Sequence, residues 1–137
     1  MMKIDYVTVG MIATNCYLIE DEATGKRAVI DPGDRSDALT AEIDRRGGTL
    51  DYILLTHAHY DHDADIGKLV KRFPSCKVVT GVRSSMYIVR FHDLSFDNIF
   101  PIYPMQRVEF DDFVLEAYPA KHNHFKETFS ETIDLCK

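Results

Sequence analysis

The chain has 137 residues and a mass of 15.7 kDa, a length that predicts one domain, residues 1–137, with a core of its own. Apolar residues make up 45% and charged residues 28%, which excludes a disordered, collagen-like or low-complexity chain. The 16 basic and 22 acidic side chains give a formal net charge of −6, so we expect no nucleic-acid partner.

No stretch reaches the roughly 18 consecutive apolar residues of a membrane helix, and the N-terminus has no signal-peptide pattern, so we expect a cytoplasmic protein without membrane association. The wide spacing favours buried thiols over disulfides or a thiolate zinc site for the three cysteines, Cys16, Cys76 and Cys136.

Strands and helices alternate along the first half of the chain, which predicts a mixed α/β domain built in layers. β-Branched residues and turn signals predict four strands: Lys3–Val9, Cys16–Glu20, Arg27–Ile30 and Tyr52–Leu55. Between the last two strands, a helix carries Leu39 and Ile43 on one face and ends at Gly47-Gly48. The strand Tyr52–Leu55 is apolar throughout, which indicates burial on both faces of a sheet.

The second half continues this alternation. Apolar spacing and turn residues predict helices at Ala64–Phe73 and Ser84–Arg90, a strand at Lys77–Thr80, and a hairpin over Arg107–Tyr118 that turns at Asp111-Asp112. Two prolines and little periodicity predict a long surface loop over Phe91–Pro104. Thr128 and Glu131 form a capping-box pattern, which predicts a last helix over Thr128–Lys137 in which Asp134 is solvated.

A cluster of metal-ligand side chains directly follows the strand Tyr52–Leu55. Within six residues the sequence supplies three imidazoles and a carboxylate: His57, His59, Asp61 and His62. These ligands suit a divalent ion such as zinc, and a loop that leaves a buried strand would hold them in place. If the loop keeps the geometry of the strand, His57 and His59 point to one side, so one ion could bind this pair and a second ion Asp61 and His62. Solvated histidines are the alternative, but imidazoles packed this closely cost stability unless an ion or hydrogen bonds satisfy them.

A second pair of histidines, His122 and His124, follows the predicted hairpin. The ends of strands are where α/β sheets place their ligands. One of the two could therefore complete a site with His57 and His59. We expect His122 to be that ligand, with His124 as the alternate.

These residues carry a resemblance to a known family. The segment Thr56-His57-Ala58-His59-Tyr60-Asp61-His62 resembles the H-x-H-x-D-H signature of the metallo-β-lactamase-fold hydrolases. Asp31-Pro32-Gly33 is similar to the family's aspartate at the end of an early strand, and Thr14-Asn15-Cys16-Tyr17 to the T-N-x-Y strand of the glyoxalase II branch, the hydroxyacylglutathione hydrolases. The resemblance implies the αβ/βα sandwich of this family, of which the chain would hold only the first half and the start of the second.

The resemblance also implies roles for single residues. His57, His59 and His122 would bind a first metal ion, and Asp61 and His62 a second. Zinc is the expected ion, one or two per site, with iron or manganese as alternatives. A metal-activated hydroxide would attack a carbonyl or phosphoryl centre of the substrate, with Asp61 as the catalytic residue that orients this hydroxide. Asp31 would orient the imidazole ligands through hydrogen bonds.

The sequence departs from the family pattern in two places. Tyr118–Phe125 lacks the glycine turn that surrounds the third histidine ligand in the glyoxalase II branch, and nothing after His124 supplies the family's bridging aspartate and last histidine. A half-sandwich would expose an apolar sheet face and a strand edge. We therefore expect a homodimer in which two copies cover each other's open sheet, or else a shortened chain.

Three functions remain open at this point. The leading hypothesis is a metal-dependent hydrolase that cleaves a small-molecule thioester or other ester. A phosphodiesterase of the same fold is an alternative, which the net charge of −6 makes less favourable for a polyanionic substrate. The other alternative is a catalytically impaired metal-binding or structural homologue that lacks the bridging aspartate.

Overall fold

A computed structural model describes residues 2–9, 14–33, 37–56, 66–110, 113–121 and 129–136. The strands of these segments are β1 (Met2–Val9), β2 (Thr14–Asp21), β3 (Arg27–Ile30), β4 (Tyr52–Leu54), β5 (Lys77–Gly81), β6 (Ile99–Ile102), β7 (Arg107–Phe110), β8 (Phe113–Lys121) and β9 (Phe129–Cys136). The helices are α1 (Asp37–Arg45), α2 (Ile66–Arg72) and α3 (Val82–His92), and a short 3₁₀ turn covers Phe96–Asn98. None of the helices described is long and apolar enough to span a membrane.

The first sheet orders its strands β1-β2-β3-β4-β5-β6 in the described part of the chain. The pairs β1–β2 and β2–β3 are antiparallel, whereas β3 to β6 pair in parallel through α1, α2 and α3. On one face, side chains such as Val29, Ile53 and Val78 pack against Leu39 of α1 and Leu69 of α2. This helix-covered face forms the larger of two apolar cores.

The second sheet, β7-β8-β9, is antiparallel and covers the other face of the first sheet. Leu54 and Val79 of the first sheet pack against Leu115 and Ala117 of β8, and all four are almost fully buried. Because Ile53 packs toward the helices and Leu54 toward the second sheet, β4 is buried on both faces, as its apolar sequence predicts. The described residues thus form three layers: helices, a mixed sheet and an antiparallel sheet.

The sequence-based prediction of a long loop over Phe91–Pro104 is wrong. The segment contains the end of α3, a 3₁₀ turn and β6, which pairs in parallel with β5. Pro101 lies opposite Thr80 in this pair. Proline has no N–H to donate, so it fits a strand that has one described neighbour. Pro101 therefore lies in an edge strand of the described sheet, and Pro104 lies in the turn that follows β6.

The predicted C-terminal helix over Thr128–Lys137 is also wrong. Residues Phe129–Cys136 form β9, which pairs antiparallel with β8, so that Asp134 lies opposite Glu116. Apolar residues at positions 129, 133 and 135 alternate with polar residues at 130, 132 and 134, which is the period of a strand. This period, together with pairing along the whole length of β8, outweighs the capping-box signal.

A turn over Tyr103-Pro104-Met105-Gln106 joins the two sheets. The Gln106 N–H donates to the Tyr103 carbonyl oxygen at 3.0 Å, and Met105 has a φ of 66°. With proline at the second position and a positive φ at the third, this is a type II turn, whose third position favours glycine. Met105 occupies the glycine position with a side chain that is 69% exposed.

A buried arginine joins the start of the parallel strands to α1. The Arg27 guanidinium donates to Glu20 at 2.9 Å, to Thr49 at 2.7 Å and to the Arg46 carbonyl oxygen. Its backbone N–H donates to the Asp51 carboxylate at 3.0 Å. Because the Arg27 side chain is only 10% exposed, these bonds replace water contacts that it loses on folding.

Candidate metal centre

The parallel strands bring separate parts of the sequence to one edge of the first sheet. Strands β3, β4 and β5 run in the same direction, so their carboxyl ends lie side by side. Asp31 comes directly after β3, and Thr56 follows the end of β4 by two residues. The ladder continues past β4, since the Leu55 N–H donates to the Val79 carbonyl oxygen at 2.9 Å. This edge is where an open α/β sheet binds its ligands.

Asp31 holds the residue that precedes the histidine motif. Its carboxylate accepts the Thr56 backbone N–H at 2.9 Å and the Thr56 hydroxyl at 2.6 Å, and its own N–H donates to the Leu54 carbonyl oxygen at 3.0 Å. Asp31 is 6% exposed and has a φ of 52°, in the left-handed region that few residues other than glycine, asparagine and aspartate adopt. The backbone that leads into His57 is therefore fixed by a buried carboxylate from the neighbouring strand.

The Cys16 thiol on β2 lies close enough to this carboxylate to be affected by it. Burial is the larger cause that raises the pKa of Cys16, and the negative charge of Asp31 raises it further. Cys76 is buried as well, and burial raises its pKa to about 12. Both side chains are free thiols, as the sequence predicts, and burial favours their neutral form near neutral pH.

The second sheet brings the end of β8 toward the same edge. The Met105 N–H donates to the Ala117 carbonyl oxygen at 2.6 Å, and the Ala117 N–H donates to the Gln106 carbonyl oxygen at 3.0 Å. Since the turn containing Met105 and Gln106 directly follows the carboxyl end of β6, β8 reaches this edge at Ala117. It then continues as a paired strand to Lys121, the residue before His122.

The predicted ligands themselves, namely His57, His59, Asp61, His62, His122 and the alternate His124, lie outside the described residues. The described residues show no group of three or more His, Cys, Asp or Glu side chains that could hold a metal ion. The predicted metal ligands, and the role of Asp31 toward them, therefore stay predictions. The structure does define the two strand ends from which these ligands follow.

Thr56 is the residue whose role the sequence analysis missed. The sequence shows it only as the residue before the H-x-H-x-D-H motif, yet both its backbone N–H and its hydroxyl donate to Asp31. In the parallel pairing of β3 with β4, Ile30 lies opposite Leu54, so the residues that follow the two strands come close together. The role of Thr56 could therefore be predicted only from the strand order, which the sequence alone does not provide.

The residues fit a divalent metal ion in the chemistry of their donors. Three imidazoles and a carboxylate are ligands of zinc and of iron. Both oxygens of Asp31 already accept hydrogen bonds from Thr56, which suits a supporting group better than a ligand. The motif residues are thus the ones that would hold the ion.

Residues 9–126 match the family model of the metallo-beta-lactamase superfamily. The chain belongs to this superfamily. A hydroxyacylglutathione hydrolase of Ruegeria pomeroyi is 38% identical over 73 residues, which make up 53% of this chain and 28% of that protein. The cytoplasmic hydroxyacylglutathione hydrolase of Arabidopsis thaliana is 37% identical over 65 residues, 47% of this chain and 25% of the relative. The matched segment thus spans no more than about a third of these relatives.

Solved structures share the fold over nearly the whole chain. The BLEG-1 B3 metallo-beta-lactamase superposes with a TM-score of 0.72 at 20% identity, covering 98% of this chain and 66% of that protein. ETHE1 from Myxococcus xanthus gives a TM-score of 0.69 at 24% identity, and the match covers 96% of this chain and 53% of that protein. The chemotaxis sensor ODP, solved as a peroxy diiron species, gives a TM-score of 0.73 at 20% identity. The match covers 98% of this chain and 54% of that protein. The metallo-β-lactamase fold predicted from the sequence is therefore confirmed, and this chain corresponds to part of that domain.

Proposed function

We propose that the protein is a metal-dependent hydrolase that cleaves a thioester or other ester of a small molecule. Superfamily membership and hydroxyacylglutathione hydrolases among the relatives suggest a metal-dependent hydrolase. The observation that supports it best is the hydrogen-bonded pair of buried Asp31 and half-buried Thr56, which fixes the backbone immediately before the H-x-H-x-D-H motif. A site that must hold several ligands in one geometry needs such support.

Each residue has a role in this proposal. His57, His59 and His122 would hold one ion, and Asp61 and His62 a second, with zinc as the proposed metal. A divalent ion lowers the pKa of a bound water from about 15.7 to about 7 and polarises a substrate oxygen. Asp61 would accept a hydrogen bond from the attacking water and so orient it toward the carbonyl carbon. Asp31 stays hydrogen-bonded to Thr56 and keeps the start of the motif in place.

Thioester turnover by the zinc-loaded protein tests this proposal. A hydroxyacylglutathione is the first substrate to try, and its hydrolysis is followed by the loss of thioester absorbance. We expect His57→Ala and Asp61→Asn to lose at least about 100-fold in rate, the order of magnitude of one catalytic or ligand group. His92→Gln, at the end of α3 and outside the motif, is the matched control and should keep the wild-type rate.

The outcomes separate the three functions that the sequence leaves open. Thioester cleavage that His57→Ala abolishes supports the proposal. Cleavage of an activated phosphodiester without thioester cleavage would favour the phosphodiesterase. Zinc binding with no turnover of either substrate, and with His57→Ala lowering only thermal stability, would favour the non-catalytic homologue. The homodimer and the cytoplasmic location stay predictions, and light scattering at micromolar concentration tests the homodimer.

A further inference from the structure

The outer face of α3 carries large apolar side chains that the fold does not cover. Ser85 and Ile88 are the buried residues of this helix, and Ile88 belongs to the core of the helix-covered face. On the opposite side, Met86 is 61% exposed, Tyr87 37% and Phe91 67%. An exposed cluster of this kind costs solubility and marks a binding surface more often than a scattered single residue does.

These side chains line a groove of about 580 Å³, whose described walls are Met86, Tyr87, Val89, Arg90 and Phe91. The Tyr87 and Phe91 rings stack with 4.3 Å between their centroids, so each restricts the motion of the other. Rigid aromatic rings, methionine and arginine are the residue types enriched where proteins bind each other. The groove therefore has the composition of a docking surface.

Two arginines lie on this face of α3, and one of them, Arg90, lines the groove. Arg83 and Arg90 are exposed and seven residues apart on α3, which places them on the same face at a separation of about 10.5 Å along the axis. Neither forms an ion pair with any of the residues the structure describes. The chain as a whole carries a net charge of −6, so this positive stripe runs against its overall charge. Such a local reversal complements a ligand that is itself acidic.

We propose that this surface, the α3 face, docks an acidic amphipathic helix of a partner protein. The face repeats at i, i+3, i+4, i+7 and i+8 with Arg83, Met86, Tyr87, Arg90 and Phe91. A helix with the same repeat, acidic at positions seven apart and apolar between them, matches both the charges and the groove. The α3 face lies on the side of the helix away from the first sheet, so this inference does not depend on the proposed hydrolase.

A second copy of the chain matches the face less well. Among the described helices, α1 has acidic residues seven apart, Asp37 and Asp44. Asp37 accepts from Lys68 at 2.6 Å and Asp44 from Arg72 at 2.8 Å within the same chain. A copy would have to break both pairs to offer these carboxylates, which favours a different protein as the partner.

Two synthetic helical peptides test the proposal. The acidic peptide carries Glu at two positions seven apart and Leu at the third and fourth positions between them, and the matched peptide has Lys in place of Glu. We expect the protein to bind the acidic peptide at least about tenfold more tightly, with an affinity that falls as salt is added. The charge-reversed variant Arg83→Glu/Arg90→Glu should prefer the Lys peptide, whereas Lys71→Glu on α2 should behave like wild type.

Equal binding of the two peptides, or a preference that the double reversal leaves unchanged, would overturn the proposal. Circular dichroism of each variant separates a lost surface from a lost fold.

Sedimentation without peptide provides a second measurement. If the protein self-associates and Met86→Asp abolishes the association, the α3 face binds a copy and the acidic-partner proposal is wrong. A wild-type hydrodynamic radius in Met86→Asp, with peptide binding lost, supports it.

Discussion

Replacing Asp31 should both destabilise the fold and weaken metal binding. In Asp31→Ala the Thr56 N–H and hydroxyl lose the carboxylate that accepts them at 2.9 and 2.6 Å. A hydrogen bond to a charged group contributes about 1.5–3 kcal/mol, and because Thr56 is half-buried we take the lower end for each bond. The left-handed φ of 52° adds about 1 kcal/mol for alanine. The expected loss is therefore about 4 kcal/mol, a large part of the stability of a single domain.

Asp31→Asn is the matched control for this change. Asparagine tolerates the left-handed backbone and keeps one oxygen for the Thr56 N–H, while the Thr56 hydroxyl can rotate to accept from its amide. Only the charge is lost, so the expected cost is about 1–2 kcal/mol. Urea unfolding measures both variants, and zinc titration should show affinity lowered by about 10- to 100-fold in Asp31→Ala.

A double-mutant cycle decides whether Thr56 transmits the effect. If the reasoning is correct, Thr56→Val removes the hydroxyl bond, and Asp31→Asn in that background costs less than in the wild type by about 0.5 kcal/mol or more. Additive costs would show that the two residues do not act together. An Asp31→Ala variant with wild-type stability and zinc affinity would refute the whole argument.

Four further measurements follow from the described residues. Met105→Gly should raise the free energy of unfolding by up to about 1 kcal/mol, because the type II turn needs a positive φ, and Met105→Ala should not. Arg27→Met should cost about 3 kcal/mol in urea unfolding, since it leaves the half-buried Glu20 carboxylate and Arg46 carbonyl oxygen without their donor. Arg107→Gln removes an exposed ion pair and should cost less than about 1 kcal/mol. Cys16 and Cys76 should resist alkylation in the native protein and react in urea, and any reaction at the native rate of a free thiol would contradict their burial. Since burial raises the pKa of Cys76 from 9.0 to about 12, its contribution to stability should be intact below pH 9 and decline as the pH rises toward 12, which thermal melts at alkaline pH would show.

Local sequence patterns predict most of the first sheet because each strand has its own boundary signals. Strand β3 is predicted at Arg27–Ile30 and found there, between a glycine turn and Asp31-Pro32-Gly33. The predictions for the segments that form β6 and β9 are wrong because their local signals disagree with the long-range pairing. Their local signals, prolines in one and a capping box in the other, favour a loop and a helix, while pairing with β5 and β8 decides the outcome. Long-range pairing of this kind is not encoded in a window of ten residues.

In the candidate site, too, one part is predictable from local sequence and another part depends on long-range pairing. The H-x-H-x-D-H motif is local and is visible in the sequence, but its support comes from Asp31, which lies 25 positions before Thr56. Asp31 combines two features that each cost stability, a buried carboxylate and a left-handed backbone. Both are explained if the position serves to fix Thr56, and with it the start of the H-x-H-x-D-H motif. The unfavourable features of Asp31 therefore favour this edge of the sheet as the functional one.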